Sequence, residues 1–303
     1  MLVNFNEYSF EKALLERLNA TLSQQIDNQK EVLDLLIKLL MSTKGTVQLS
    51  GCQCFVDILA KIRFNIESSI KLSNELFEDF RFKASVNLLY RSIVDDVING
   101  YYLLGTVALS DHEQRALNNE LDIFHKEFLL SSLKAIDAEA EFTNYVNELC
   151  EKEPIEKIDI SDDIKKDNPQ LFNINGKWKT NSEIRSTTPT FLVQLMNQPE
   201  KGFWGFISES KKIEFIKARG LGAPDNLTVL FKYLSQFQHY SPKTHQLINS
   251  DIDYDLTVYE KCIDEVLLFL HQIIDVLQLK AKDELKGELI SLLNRIFDVQ
   301  SEN

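Results

Sequence analysis

The chain has 303 residues, with 33 Lys and Arg against 46 Asp and Glu, a net charge of −13, and only 10 Gly and 6 Pro. So few turn formers exclude many-turned sandwiches and barrels, and the acidic balance works against non-specific nucleic-acid binding. The longest apolar runs, such as Val266 to Leu270, fall far short of the ~20 residues that span a bilayer. Neither a membrane span nor a secretory signal is expected, and four scattered cysteines (Cys52, Cys54, Cys150, Cys262) do not form a disulfide framework, which fits a reducing cytoplasm.

The elements read as helix after helix. Ser9 with Glu11 opens the first. In it Leu15, Leu18, Leu22, Val32, Leu36 and Leu39 fall on one heptad seam, with Gln25 and Gln29 at its two middle positions. Gly45 offers a stop. The seam suits either packing inside the chain or dimerisation. Phe55, Ile58, Leu59, Ile62, Ile66 and Ile70 give a second helix its core face. A third runs from about 84 to 104. A capping box at Ser110 to Glu113 opens a fourth, reaching about Leu149. A second capping box, Thr257 to Glu260, opens a late helix that is apolar on most faces, so a central position is expected. A last amphipathic helix covers about 284 to 297.

Between these blocks the pattern changes. The stretch from Glu151 is charged and poorly periodic. Residues 170–245 hold five of the ten glycines, both tryptophans and four of the six prolines, with ten Lys and Arg against five Asp and Glu. This irregular, locally basic segment reads either as a surface cover or as a site carried on a rigid scaffold.

Two constellations carry polar chemistry. Arg91 and Asp95 lie four apart on one helix face amid apolar residues. They suit a buried ion pair that fixes helix register, or an arginine that holds an anion. Ser235 and His239 are also four apart, on a helix that must end before Pro242. A histidine at a helix C-terminus has its charged form favoured, which suits an acid or base near neutral pH as well as a structural hydrogen bond. Asp251-Ile-Asp253-Tyr-Asp255 opens like a calcium loop but has Leu256 and Cys262 where glycine and glutamate are required. Cys52-Gln-Cys54 lacks a second ligand pair for zinc. No metal site and no cofactor are expected.

Leu88-Leu-Tyr-Arg91-Ser-Ile-Val-Asp95, then Trp178 with Glu183-Ile-Arg185, then Tyr233-Leu-Ser235-Gln-Phe-Gln-His239 resemble a broad group of bacterial helical proteins. That group is similar to the HEPN superfamily (higher eukaryotes and prokaryotes nucleotide-binding). The resemblance covers about Ala84 to Leu279. It implies a cytoplasmic protein of prokaryotic defence or stress response, including toxin–antitoxin and antiviral systems. Such a protein binds RNA or a nucleotide, cleaves RNA without metal and acts as a dimer. The family's signature has an arginine and a histidine on one helix with four to six residues between them. Here only Lys232 precedes His239 at a comparable spacing, so a site across helices is required. RNA cleavage through the 2′-hydroxyl needs a group to take that proton and cations to hold the phosphate.

The expectation is an all-α fold in one bundle-like domain. Residues 1–83 form a helical hairpin packed on a core of residues 84–303, with an irregular lid at about 150–225. The residues singled out for catalysis are His239, Arg91, Asp95 and Ser235. Lys232, Tyr233, Arg185 and Trp178 are singled out for ligand binding. The alternative function is a non-catalytic interaction or scaffold protein, working through a protein partner or as a homodimer.

Overall fold

The computed structural model describes residues 5–49, 51–107, 113–149, 161–180, 183–184, 208–238, 246–248 and 252–301. The fold is all-α, with 83% of that part helical. The helices are α1 (Phe5–Thr43), α2 (Gln53–Glu75), α3 (Lys83–Val107), α4 (Glu113–Leu149), α5 (Ser161–Asp167), α6 (Glu209–Ala218), α7 (Pro224–Leu234), α8 (Asp253–Ile273) and α9 (Lys282–Ser301). None among the described residues is long and apolar enough to cross a membrane. The chain divides into two compact units. Met1–Ala108 with Glu209–Asn303 forms the first, and Leu109–Ser208 forms the second.

In the first unit α3 is the central element, packed by α2, α6, α7 and α8. Its sequence explains this. From Val86 to Thr106 every position but Leu88, Leu89, Ser92, Asp95 and Asn99 is buried, so only a narrow stripe is left toward solvent. Large rings close around it. Tyr90 stacks on Tyr259 with centroids 4.6 Å apart, and Tyr101 meets Phe269 edge-on at 5.1 Å. The Phe269 ring approaches the α3 backbone at Gly100, where a methyl group would overlap it.

The long α1 packs on α2, α8 and α9. Leu18, Leu22, Val32, Leu36 and Leu39 are buried there, so the heptad seam is consumed within its own chain; Leu15 is exposed. The two glutamines in the seam set its register. Gln25 Nε2 donates to the Leu256 carbonyl at 2.6 Å, and Gln29 Oε1 accepts from the Ser69 hydroxyl at 3.1 Å.

Two local expectations are corrected, the start of the late helix and the extent of the irregular stretch. The late helix starts at Asp253, a turn before the Thr257 capping box, with Ile252 at its N-cap. Proline at the first position suits a helix start, and α7 begins at Pro224. Within the stretch expected to be irregular, Glu209–Ala218 is helical, and its Ile213, Phe215 and Ile216 are buried.

The second unit is built on α4. Ile123, Leu130, Leu171 and Ile184 form its core, with Phe172 and Trp178 packed against it. Phe172 and Trp178 pair in a short antiparallel bridge, turned by Gly176 at φ 69°. A reciprocal capping box closes the segment: Thr180 N–H donates to Glu183 Oε2 at 2.6 Å, and Glu183 N–H donates to Thr180 Oγ1 at 3.2 Å. The Thr180 N–H and the Thr180 hydroxyl, both donating to the Glu183 carboxylate, hold it below its ordinary pKa.

Candidate functional site

Arg91 leaves α3 toward α7. It is 5% exposed, and three groups hold its guanidinium. Asp95, one turn on, takes an ion pair from Nη1. Ser235 Oγ accepts from Nε at 3.1 Å, and the Phe231 ring lies 4.1 Å beneath the guanidinium carbon. Burial lowers the Arg91 pKa below its ordinary value, while Glu209 pulls it back. The Ser235 hydroxyl donates to the Phe231 carbonyl at 2.6 Å. That back-bond lies where α7 tightens into the 3₁₀ turn Ser235–Phe237. The structure thus joins Arg91, Asp95 and Ser235 in one network, in which the serine both donates and accepts.

Tyr233, one residue before the end of α7, donates to Asp255 Oδ1 at 2.8 Å. Asp255 also accepts from Asn87 Nδ2 at 2.8 Å and pairs with Lys83 Nζ at 3.1 Å. Burial, reinforced by the Asp255 carboxylate, raises the Tyr233 phenol above its ordinary pKa. The tyrosine singled out for ligand binding is therefore a structural donor to a buried carboxylate. Sequence reasoning missed this cluster. The one signal was Lys83 at the head of a largely buried helix.

The remaining singled-out residues are dispersed. Lys232 is exposed on α7. Trp178 belongs to the second unit, where its indole N–H donates to Asp137 at 3.1 Å. His239 and Arg185 lie outside the described residues.

A third buried cluster sits beside α7. Glu265 of α8 is fully buried and accepts from Asn226 Nδ2 at 2.7 Å. Burial raises its carboxyl to about 7, partly offset by Asn226 and the Ala223 N–H, and Asp264 adds to the rise. Among the described residues no three His, Cys, Asp or Glu side chains are grouped to hold a metal ion. Open grooves run along α1. One, of about 970 Å³, is lined by Arg17, Thr21, Gln24, Asn28, Glu260 and Arg295. Another, of about 460 Å³, is lined by Glu31, Asp34, Lys38, Glu288 and Arg295. Neither includes Arg91, Asp95, Ser235 or Tyr233.

Chemically, the Arg91 network is suited to holding α3 on α7. Its arginine already has a carboxylate, a hydroxyl and a ring as partners, and the serine proton already has an acceptor. No protein-family model, no curated protein and no solved structure matches the chain.

Proposed function

We propose that this protein is a non-catalytic helical interaction protein that works through a protein partner. The observation that carries the reading is the closure of Arg91 on Asp95, Ser235 and Phe231. A phosphate-holding arginine must offer its donors to a ligand, and here Nε and Nη1 are spent on the fold. Another of the singled-out residues, Tyr233, is likewise spent on Asp255.

A second reading, an RNA-binding HEPN-like protein that cleaves RNA without metal, draws on a different observation. The bond from Arg91 to Ser235 joins the first and last blocks of the sequence pattern across helices. In that reading His239 takes the 2′-hydroxyl proton and Arg91 holds the phosphate.

One experiment separates them. The purified chain is incubated with total cellular RNA, beside His239→Ala and Arg91→Ala variants checked for folding by circular dichroism. The interaction reading expects intact RNA with all three folded proteins. Cleavage by the wild type and by neither variant overturns it in favour of the second.

A further inference from the structure

We infer that the exposed face of α4 is a docking surface for a helical protein segment that carries lysine or arginine beside its apolar seam. The inference rests on the interaction reading and names its partner class.

The face has the repeat of a coiled coil. Phe128, Ala135, Phe142 and Leu149 recur every seven residues, and Ser131, Ala138 and Tyr145 fall three residues after the first three of them. That is the a and d spacing of a two-helix seam. All seven positions are exposed. The large ones are strongly so: Phe128 is 70% exposed, Phe142 63%, Tyr145 56% and Leu149 65%. The opposite face of the helix is already spent, since Ile123 and Leu130 belong to the core of the second unit. Three large side chains clustered within Phe142–Leu149 present an apolar patch on the order of 300 Å², comparable to the largest patch on a typical monomer, which is often a functional surface.

Charge selects the occupant. From 135 to 149 the helix has Asp137, Glu139, Glu141 and Glu148 and no lysine or arginine. Glu141 and Glu148 occupy successive g positions along one edge of the seam, and Glu139 occupies an e position on the other. All three are exposed. The last turn of α4 holds no basic residue, so Glu148 faces the negative end of the helix dipole. A cationic partner relieves that repulsion, whereas a second acidic copy of the same face adds to it. Lys134, the one cation at a g position, donates its Nζ to the Lys179 carbonyl at 3.2 Å. Shape adds a further condition. Ala135 and Ala138 leave room for large partner side chains, and Phe142 and Tyr145 require small ones opposite.

The test uses the full chain and two synthetic peptides of about four heptads with identical leucine and alanine seams. One has lysine at its e and g positions, which keeps it from pairing with itself, and the other has glutamate. Fluorescence anisotropy is expected to show the lysine peptide binding at least tenfold tighter than the glutamate peptide, and weakening as salt rises. Phe142→Ser with Tyr145→Ser should lose at least tenfold. Glu141→Lys with Glu148→Lys should reverse the preference. Both double variants change exposed positions, so circular dichroism should match the wild type. Equal binding of the two peptides, binding of neither, or wild-type binding by the Phe142/Tyr145 variant overturns the inference. A dimer in sedimentation that the Phe142/Tyr145 variant splits overturns it as well, since the occupant is then a second copy. RNA cleavage refutes the interaction reading itself, whereas peptide failure with intact RNA refutes this surface alone.

Discussion

Lys83 and Asp255 meet at 3.1 Å with both side chains out of water, one at the first turn of α3 and the other at the first turn of α8. An ion pair removed from solvent stands only if its remaining bonding capacity is met. Here Asn87 and Tyr233 serve the same carboxylate. Asp255→Asn takes the carboxylate charge away from the buried Lys83 ammonium, and a loss of about 3–5 kcal/mol is expected in urea unfolding. Lys83→Met with Asp255→Leu removes both charges, so it should cost less than the two single changes added together. Additive losses would refute the pairing.

The Arg91 network predicts a graded series. Ser235→Ala takes the acceptor from Arg91 Nε and should cost about 1–2 kcal/mol. Arg91→Lys keeps the charge but loses the planar fork that bonds two partners while stacking on Phe231, so lysine should not restore stability. Unfolding midpoints read the series. A Ser235→Ala protein as stable as the wild type would show that the bond contributes nothing.

Glu265 makes stability depend on pH. Its folded-state carboxyl stands at about 7, raised from the ordinary 4.5. A raised carboxyl binds its proton more tightly in the folded state. The contribution is full below the unfolded pKa and is lost as pH climbs through the folded one. The melting temperature should therefore fall between about pH 5 and 8, with at most about 3 kcal/mol at stake. Asp96, raised by burial although Lys61 opposes the shift, works in the same direction. Glu265→Gln should flatten most of the slope and raise the melting temperature at pH 8. An unchanged slope in scanning calorimetry would refute the assignment.

At Gly100 the Phe269 ring of α8 lies against the α3 backbone. Gly100→Ala puts a methyl group into Phe269, and the helix cannot retreat because α2, α6 and α7 also press on it. Overpacking of this kind costs about 1–3 kcal/mol. Gly100→Ala combined with Phe269→Leu should recover part of that loss, and thermal melts of the two proteins compare them directly.

The helical class was legible because scarce glycine and proline, together with the i, i+3, i+4 recurrence at Phe55, Leu59 and Ile62, report local geometry. The central place of α8 followed from the same logic, since Val266 to Leu270 leaves no polar face. The partners of buried polar groups were not legible. The spacing of Arg91 and Asp95 announces an i, i+4 pair, but nothing near Asp255 announces Lys83, because the two share no helix. Asp255 stands among other acids ahead of a capping box, where carboxylates are ordinarily solvated; only packing reveals that its carboxylate is sealed. The α4 seam escaped for the opposite reason. Its Phe142 and Tyr145 fit a buried face as readily as an exposed one, and periodicity does not say which side of a helix meets water.

The first unit is interrupted in sequence: α1, α2 and α3 precede the second unit, and α6, α7 and α8 follow it. This imposes an order on synthesis. At about 5–20 residues per second, the stretch from Leu109 to Ser208 takes the ribosome several seconds to deliver. Through that interval α3 has α2 beside it but not the helices that cover its other sides, and Tyr101 and Tyr102 lack the Phe269 and Phe215 rings they pack on. The nascent chain therefore carries its most apolar helix uncovered while a separate unit is being built, and it is in that window that a holding chaperone has something to hold.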